Sequence, residues 1–249
     1  MDTKVIDDQD ILYIIMPAYN EEENIQAVVE TWYPIVEKYN GGGCSRLVLI
    51  NDGSTDNTAY FMEKLKDSRP LFCPLTKFNS GHGATVLYGY QYALKNNAQW
   101  IFQTDSDGQT EAKEFDEFWN LRKSYDAIIG YRSHRKDGFL RVFVTKILRL
   151  VIYFCFKVWV TDGNTPFRLM EAESLRDNIQ YIPAQFHLSN VLLSVIYIRR
   201  GQRVKFLPIT FKNREKGCNS VNFRKIMKIG VMSISDFRKI HRSLKIFGI

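Results

Sequence analysis

The 249-residue chain is 45% hydrophobic and 24% charged, enough apolar material for one large α/β domain or two small ones. Its four cysteines, Cys44, Cys73, Cys155 and Cys218, form no CxxC pair, which argues against a zinc site or a disulfide framework and fits a reducing compartment. The net charge of +7 is uneven: residues 199–249 carry 14 Lys or Arg against 2 acids, and the residues before them 20 against 25. A basic end is thus joined to a slightly acidic body, a pattern open to nucleic acid, anionic lipid or phosphorylated substrates.

The opening MDTKVIDDQD is polar and acidic and lacks the basic and apolar regions of a signal peptide. ILYIIM at 11–16 predicts a first buried strand. A turn at Pro17-Ala18-Tyr19-Asn20 follows, with Asn20 as expected N-cap of a helix running to about Lys38. RLVLIN at 46–51 predicts the second strand, stopping at the turn-forming run 52–56. Leu71 to Leu75 predicts a weaker third strand, then Asn79-Ser80-Gly81-His82-Gly83 leads into a helix from about Ala84 to Lys95. A strand at Trp100, a helix near Ala112 to Lys123 and a strand at Ala127 to Tyr131 complete the series. Strands and helices alternating at short spacing predict an α/β fold with a mainly parallel sheet between two helical layers.

The stretch WIFQTDSDGQ at 100–109 carries the chemistry. Its apolar start reads as a strand. Beyond it Asp105, Asp107 and Gln109 fall on alternate positions, which point the same way in an extended chain. Two carboxylates and an amide oxygen would converge at the strand's carboxyl end, where open α/β sheets place ligands. Hard oxygen donors of this kind suit Mg²⁺ or Mn²⁺ held together with substrate phosphates. The plain alternative is an acidic strand-to-turn junction with Gly108 as the turn. Other strands also end in polar clusters, at Tyr19/Asn20/Glu21, Asp52, 79–83 and Arg132. Several such clusters on one rim favour a nucleotide and metal site.

PAYNEEENI at 17–25, INDGSTDNT at 50–58, NSGHGAT at 79–85, TDSDGQ at 104–109 and GYR at 130–132 together resemble glycosyltransferase family 2, and nearest within it the polyprenyl-phosphate (dolichyl-phosphate) sugar transferases. The resemblance is close from Ile11 to Arg132 and looser to Gly217. It implies a GT-A fold, a catalytic domain over residues 1–220 and a nucleotide-diphosphate sugar donor. Pro17, Ala18, Tyr19, Asn20 and Glu21 would belong to the nucleotide pocket. Asp52 would accept from the base's ring N–H, which fits uracil or guanine. Gly81, His82, Gly83 and Ser106 would also border the nucleotide. Asp105, Asp107 and Gln109 would hold the divalent metal. Arg132 and Arg214 match arginines that the branch uses around phosphates, a task suited to arginine's planar, permanently charged fork. Asp162 and Arg168, in DGNTPFR at 162–168, and Arg141 would lie on the acceptor side. Arg168 reads equally as structural, paired with Asp162 or a helix end.

A base is harder to assign. An inverting transferase acting on a hydroxyl needs a carboxylate to deprotonate it, and no QxxRW motif is present. A phosphate acceptor removes the need, being already ionised near neutrality. His187 is the candidate for a hydroxyl acceptor, against a reading as a cap or packing residue.

FLRVFVTKILRLVIYFCFKVWV at 139–160 is apolar but broken by Arg141, Lys146, Arg149 and Lys157, so it falls short of the ~20 apolar residues that span a bilayer. It reads either as an interfacial helix with basic residues at the headgroups or as a helix buried against the sheet. Residues 221–249 interleave apolar and basic positions as an amphipathic tail. Each cation near an anionic surface contributes ~1 kcal/mol. No nucleic-acid motif accompanies that tail, so nucleic acid is not an expected partner. The expectation is therefore an inverting, metal-dependent enzyme that moves a hexose from a UDP- or GDP-sugar to a polyprenyl phosphate, cytoplasmic and peripheral to an anionic membrane. The alternative acceptor is a sugar hydroxyl of a lipid-linked glycan or cell-surface polysaccharide precursor. A non-catalytic nucleotide-sugar-binding module is the third reading, disfavoured by the intact DSDGQ.

Overall fold

The computed structural model describes residues 10–133, 139–212, 237, 240–242, 245 and 248; for 139–146 only the main chain is described. Apolar residues on alternate positions of the first two strands build two cores, one on each face of the sheet. In β1 (Leu12–Ala18), Leu12, Ile14 and Met16 face one core while Tyr13 and Ile15 face the other. In β2 (Arg46–Asp52), Leu47 and Leu49 divide from Val48 and Ile50 in the same way.

The remaining strands are β3 (Phe72–Lys77), β4 (Trp100–Gln103), β5 (Ala127–Arg132), β6 (Arg168–Glu171) and β7 (Val204–Ile209). They form one seven-stranded sheet in the order β3-β2-β1-β4-β6-β5-β7. The sheet is mainly parallel, as the alternation of elements predicts. Only β6 runs antiparallel to its neighbours, β4 and β5. Its amino end, Arg168, therefore sits beside Gln103 at the carboxyl end of β4. Every other strand delivers its carboxyl end to that same edge.

Helix α1 (Ile25–Lys38) buries Ile25, Val28, Val29, Trp32, Tyr33 and Val36, the 3.6-residue spacing of a helix with one core face. Helices α2 (Thr58–Lys66) and α4 (Phe115–Leu121) share that side; α3 (His82–Lys95), α5 (Phe139–Phe156), α6 (Ala172–Ile179) and α7 (Ser189–Arg199) cover the other. Helix α3 lies close on β1 and β2 because Gly89 faces them: a Cβ there would stand 2.3 Å from Ile15 Cγ2.

Four local expectations are revised. Asn20 caps no helix; it adopts φ 54°, and α1 begins five residues later behind Asn24, which makes no side-chain cap. Strand β3 runs on to Lys77 rather than stopping at Leu75. Helix α3 starts at His82 rather than Ala84. The helix near 112–123 is three short pieces, α4 between single 3-10 turns at Ala112–Glu114 and Arg122–Ser124.

From the segment read as an interfacial or buried helix, α5 shows both characters. Ile152 and Phe156 are buried, whereas Leu150, Tyr153, Phe154 and, just beyond the helix, Trp159 are exposed. No helix among the described residues is long and apolar enough to cross a membrane. From the basic end, Phe237 and Ile240 are buried, and Phe237 packs at 5.4 Å from Phe156 and 5.9 Å from Phe186, ring to ring.

Candidate functional site

One half of the sheet's carboxyl edge is built where β1, β2 and β3 end. Asp52 and Lys77 are direct cross-strand neighbours on β2 and β3, and Lys77 Nζ donates to Asp52 Oδ1 in a nearly buried ion pair. The main-chain N–H groups of Ser80 and Gly81 each donate to Asp52 at 2.9 Å. Burial works to raise the Asp52 pKa, but donation from Lys77, Ser80 and Thr85 outweighs it and holds the carboxyl below its ordinary value. Lys77 also reaches Ser80 Oγ at 2.6 Å and Thr85 Oγ1 at 3.1 Å. Lys77 is the residue that sequence reasoning missed. Ending β3 two residues early put it in a loop and hid its register with Asp52.

The Gly81 turn has φ 87°, and the chain then enters α3 at His82. His82 Nε2 lies 3.0 Å from Asp105 Oδ1. The His82 ring is half exposed; partial desolvation pulls its pKa down, but the charges of Asp105, Asp107 and Asp52 together raise it above the ordinary 6.5. Residues 80–82 thus bridge the buried carboxylate of β2 to the first acid after β4.

Pro17 and Ala18 are buried inside β1, while Tyr19 is 45% exposed. The turn at Asn20 is pinned across to the next loop: its amide donates to Ser54 Oγ at 3.0 Å and its Oδ1 accepts from the Thr55 amide at 2.9 Å. Glu21 is buried, its amide donating to Thr58 Oγ1 and its carboxylate accepting from Asn24 Nδ2 at 2.6 Å.

The loop after β4 is closed at its base by the Thr104 and Thr110 hydroxyls, 2.8 Å apart. Ser106 Oγ donates to the Pro17 carbonyl at 2.8 Å, fastening this loop to β1. Asp107 Oδ1 accepts from the Gln109 amide at 3.1 Å, a turn that Gly108 permits with φ 72°. Gln109 Nε2 donates to the Lys212 carbonyl at 2.7 Å. Among the described residues no three His, Cys, Asp or Glu side chains form a group able to hold a metal ion. Asp105, Asp107 and the Gln109 amide oxygen nonetheless suit Mg²⁺ or Mn²⁺, which take few protein ligands and complete their shell with substrate phosphates and water.

On the other half of the edge, Arg132 ends β5 and forks onto Asp162. Its Nε and one terminal nitrogen each meet a carboxylate oxygen at 2.9 Å. Its guanidinium also lies 5.2 Å from the Phe211 ring centre. Since Asp162 is taken by Arg132, Arg168 does not pair with it. Arg168 is fully buried and donates to the carbonyls of Gly163, Thr165 and Asn190 at 2.8–3.2 Å. It braces the 162–168 loop from behind.

His187 is exposed in the turn before α7, whose N-cap is Leu188, without a side-chain cap. Its Nδ1 would stand 3.8 Å from a Cβ placed on Gly81, so its ring borders the 80–82 turn. Gly83 is packed under the same turn; a Cβ there would meet the Phe186 carbonyl oxygen at 2.3 Å. The Arg141 side chain and Arg214 lie outside the described residues.

The glycosyl transferase family 2 model matches residues 13–182, a span holding every one of these residues up to Asp162 and Arg168. The dolichyl-phosphate beta-glucosyltransferase ALG5D of Trichomonas vaginalis is 25% identical over 256 residues, covering 96% of this chain and 77% of that protein. The polyprenol monophosphomannose synthase of Mycolicibacterium smegmatis is 23% identical over 218 residues, covering 84% and 80%. Among solved structures, the glucosyl-3-phosphoglycerate synthase of Mycobacterium tuberculosis in complex with Mn²⁺ and UDP-glucose superposes with a TM-score of 0.67 at 14% identity, covering 93% of this chain and 79% of that one. That likeness shows the fold, GT-A. With the family model spanning most of the sheet and its ligand edge, this chain belongs to glycosyl transferase family 2 and is a glycosyltransferase.

Proposed function

We propose that the enzyme transfers a hexose, with inversion, from a UDP- or GDP-sugar to a polyprenyl phosphate at the cytoplasmic face of an anionic membrane, using Mg²⁺ or Mn²⁺. The observation that carries this reading is the 80–82 bridge. Ser80 and Gly81 donate to Asp52 while His82 meets Asp105, so the carboxylate suited to a base's ring N–H and the one suited to a diphosphate-bound metal are joined by one short turn at the sheet's carboxyl edge. Two relatives named for dolichyl phosphate and polyprenol phosphate support the acceptor class.

Asp52, oriented by Lys77 and the 80–81 amides, accepts from the base. Tyr19, exposed at the end of β1, offers a ring beside it. Asp105, Asp107 and Gln109 would hold the cation, which would supply Lewis-acid neutralisation of the departing diphosphate. The acceptor phosphate, ionised near neutrality, attacks the anomeric carbon without a base. The carbon–oxygen bond to the donor breaks on the opposite face, and its electron pair leaves with the nucleoside diphosphate. Arg132, held by Asp162, presents positive charge near that rim. Its remaining guanidinium donors and Arg214 suit phosphate oxygens.

The exposed Leu150, Tyr153, Phe154 and Trp159 around α5 suit a lipid interface. Lys157 stands 5.8 Å from the ring centres of both Tyr153 and Phe154, the pairing of aromatic and cation expected at headgroups.

The test is to supply radiolabelled UDP- and GDP-hexoses with Mn²⁺ and either undecaprenyl or dolichyl phosphate, and to measure label in the organic phase. Label in the lipid, lost in Asp107→Asn, is expected. Label entering only saccharide acceptors overturns the acceptor assignment.

A further inference from the structure

Among the described residues, the side chain of Gln109 is engaged at only one of its two ends. Nε2 donates to the Lys212 carbonyl at 2.7 Å. The Lys212 amide in turn donates to the Gln109 carbonyl at 2.8 Å. A main-chain carbonyl can only accept, so it fixes which end of the amide faces it and leaves Oε1 as the end available to a ligand. The joint is reinforced on both sides. Thr110 and Phe211 form an isolated antiparallel bridge, Lys212 Nζ meets Glu111 at 2.7 Å, and the Glu114 carboxylate accepts from the Thr210 amide at 3.0 Å. The loop after β4 and the exit of β7 are thus stitched together over 109–114 and 210–212.

We propose that the main chain of Lys212 is the positioning group that aims Gln109 at the metal, so that position 109 requires an amide and the exit of β7 is part of the support of the metal site. This rests on the metal reading above and goes beyond it. A ligand set chosen for charge alone would favour glutamate at 109, since a carboxylate binds a hard divalent cation more strongly than an amide oxygen. Glutamate, however, has no hydrogen to give. Its carboxylate would face the Lys212 carbonyl acceptor to acceptor, and the side chain would turn away. Partners that orient a metal ligand contribute to affinity even though they never touch the ion, and their loss typically weakens binding ~10–100-fold.

The experiment measures Mn²⁺ binding by electron paramagnetic resonance, with UDP and with GDP, for the wild type, Asp107→Asn, Gln109→Glu and Lys212→Pro. The proline variant removes the amide that donates to Gln109 while leaving the ligand set intact. Melting temperatures without metal check that each variant folds. Gln109→Glu is expected to bind Mn²⁺ at least ~10-fold more weakly than the wild type while melting at the same temperature, and Lys212→Pro to weaken binding in the same direction. A folded Gln109→Glu protein that binds Mn²⁺ as tightly as the wild type, or more tightly, overturns the positioning role while leaving the metal reading intact. A wild type that binds no Mn²⁺ with either nucleotide, or an Asp107→Asn protein that binds it equally well, overturns both.

Discussion

Arg132 and Asp162 meet in a two-pronged ion pair, each prong 2.9 Å long, with the aspartate side chain only 3% exposed. A carboxylate so placed both neutralises the arginine and fixes the plane of its fork. Converting Asp162 to Asn leaves the guanidinium without a counter-charge in a mostly buried setting. We expect a loss of about 3 kcal/mol in unfolding free energy, read by urea denaturation, and a fall in turnover larger than the fall in donor affinity.

Asp52 and Lys77 give a pH-dependent contribution with a definite sign. The Asp52 carboxyl sits below its ordinary 3.8, so the folded state favours its ionised form. That stability is fully present above 3.8 and is lost as pH falls through the lower folded value. The stability gap between wild type and Asp52→Asn should therefore be full at neutral pH and close in the acid limb. A gap independent of pH down to acid unfolding would contradict the assignment.

His82 behaves in the opposite sense. Its pKa is raised above 6.5 by Asp105, Asp107 and Asp52 against partial desolvation of a half-exposed ring, so the stability it adds is present below 6.5 and fades as pH rises through the folded value. In the metal-free protein, Asp105→Asn should lower the imidazole pKa, followed by the NMR shifts of the His82 ring. No change on removing Asp105 would mean that the 3.0 Å contact carries no charge coupling.

Gly83→Ala tests the packing under the 80–83 turn. The added methyl meets main-chain oxygens of Phe186 at 2.3 Å and His187 at 2.9 Å, and neither can swing aside as a side chain would. Overpacking of this kind costs about 1–3 kcal/mol. Calorimetry should show the lower melting temperature. Nucleotide affinity should fall as well, because the same turn carries His187 beside Gly81.

The aromatic face near α5 makes a prediction separable from catalysis. Phe154→Ser with Trp159→Ser removes rings that are 68% and 58% exposed. Sedimentation with vesicles rich in anionic lipid should drop, with the melting temperature unchanged. Retained vesicle binding would move the lipid contact elsewhere on the molecule.

The sheet was legible because its strands are written in short apolar runs with both faces buried. The edge was legible because acids two apart and glycine turns recur at strand ends. What the sequence hid was relational. Lys77 acquires its meaning only from being opposite Asp52 across two strands. The choice of Asp162 by Arg132, rather than by Arg168, depends on a reversed strand that places Arg168 deep among carbonyls. Both arginines occur within a few residues of glycine and aromatic neighbours, so local pattern gave nothing to tell them apart. Asn20 misled for a similar reason. Its type suits a helix cap, yet its oxygen is claimed by the Thr55 amide of the neighbouring loop.

The reversed strand β6 has a wider consequence. Because it enters the sheet at the edge where its neighbour β5 leaves, the chain between them departs and returns at that one edge. The segment between α5 and Arg168 therefore lies along that edge, held by Asp162 on Arg132, by the Gly163 and Thr165 carbonyls on Arg168 and by the buried Phe167. Its residues at 162 and 167 cannot change without disturbing the end of β5 and the core beneath the sheet. A substitution in that segment would therefore be felt first at Arg132 and Arg168, while the turns on the far side of β4 keep their own contacts.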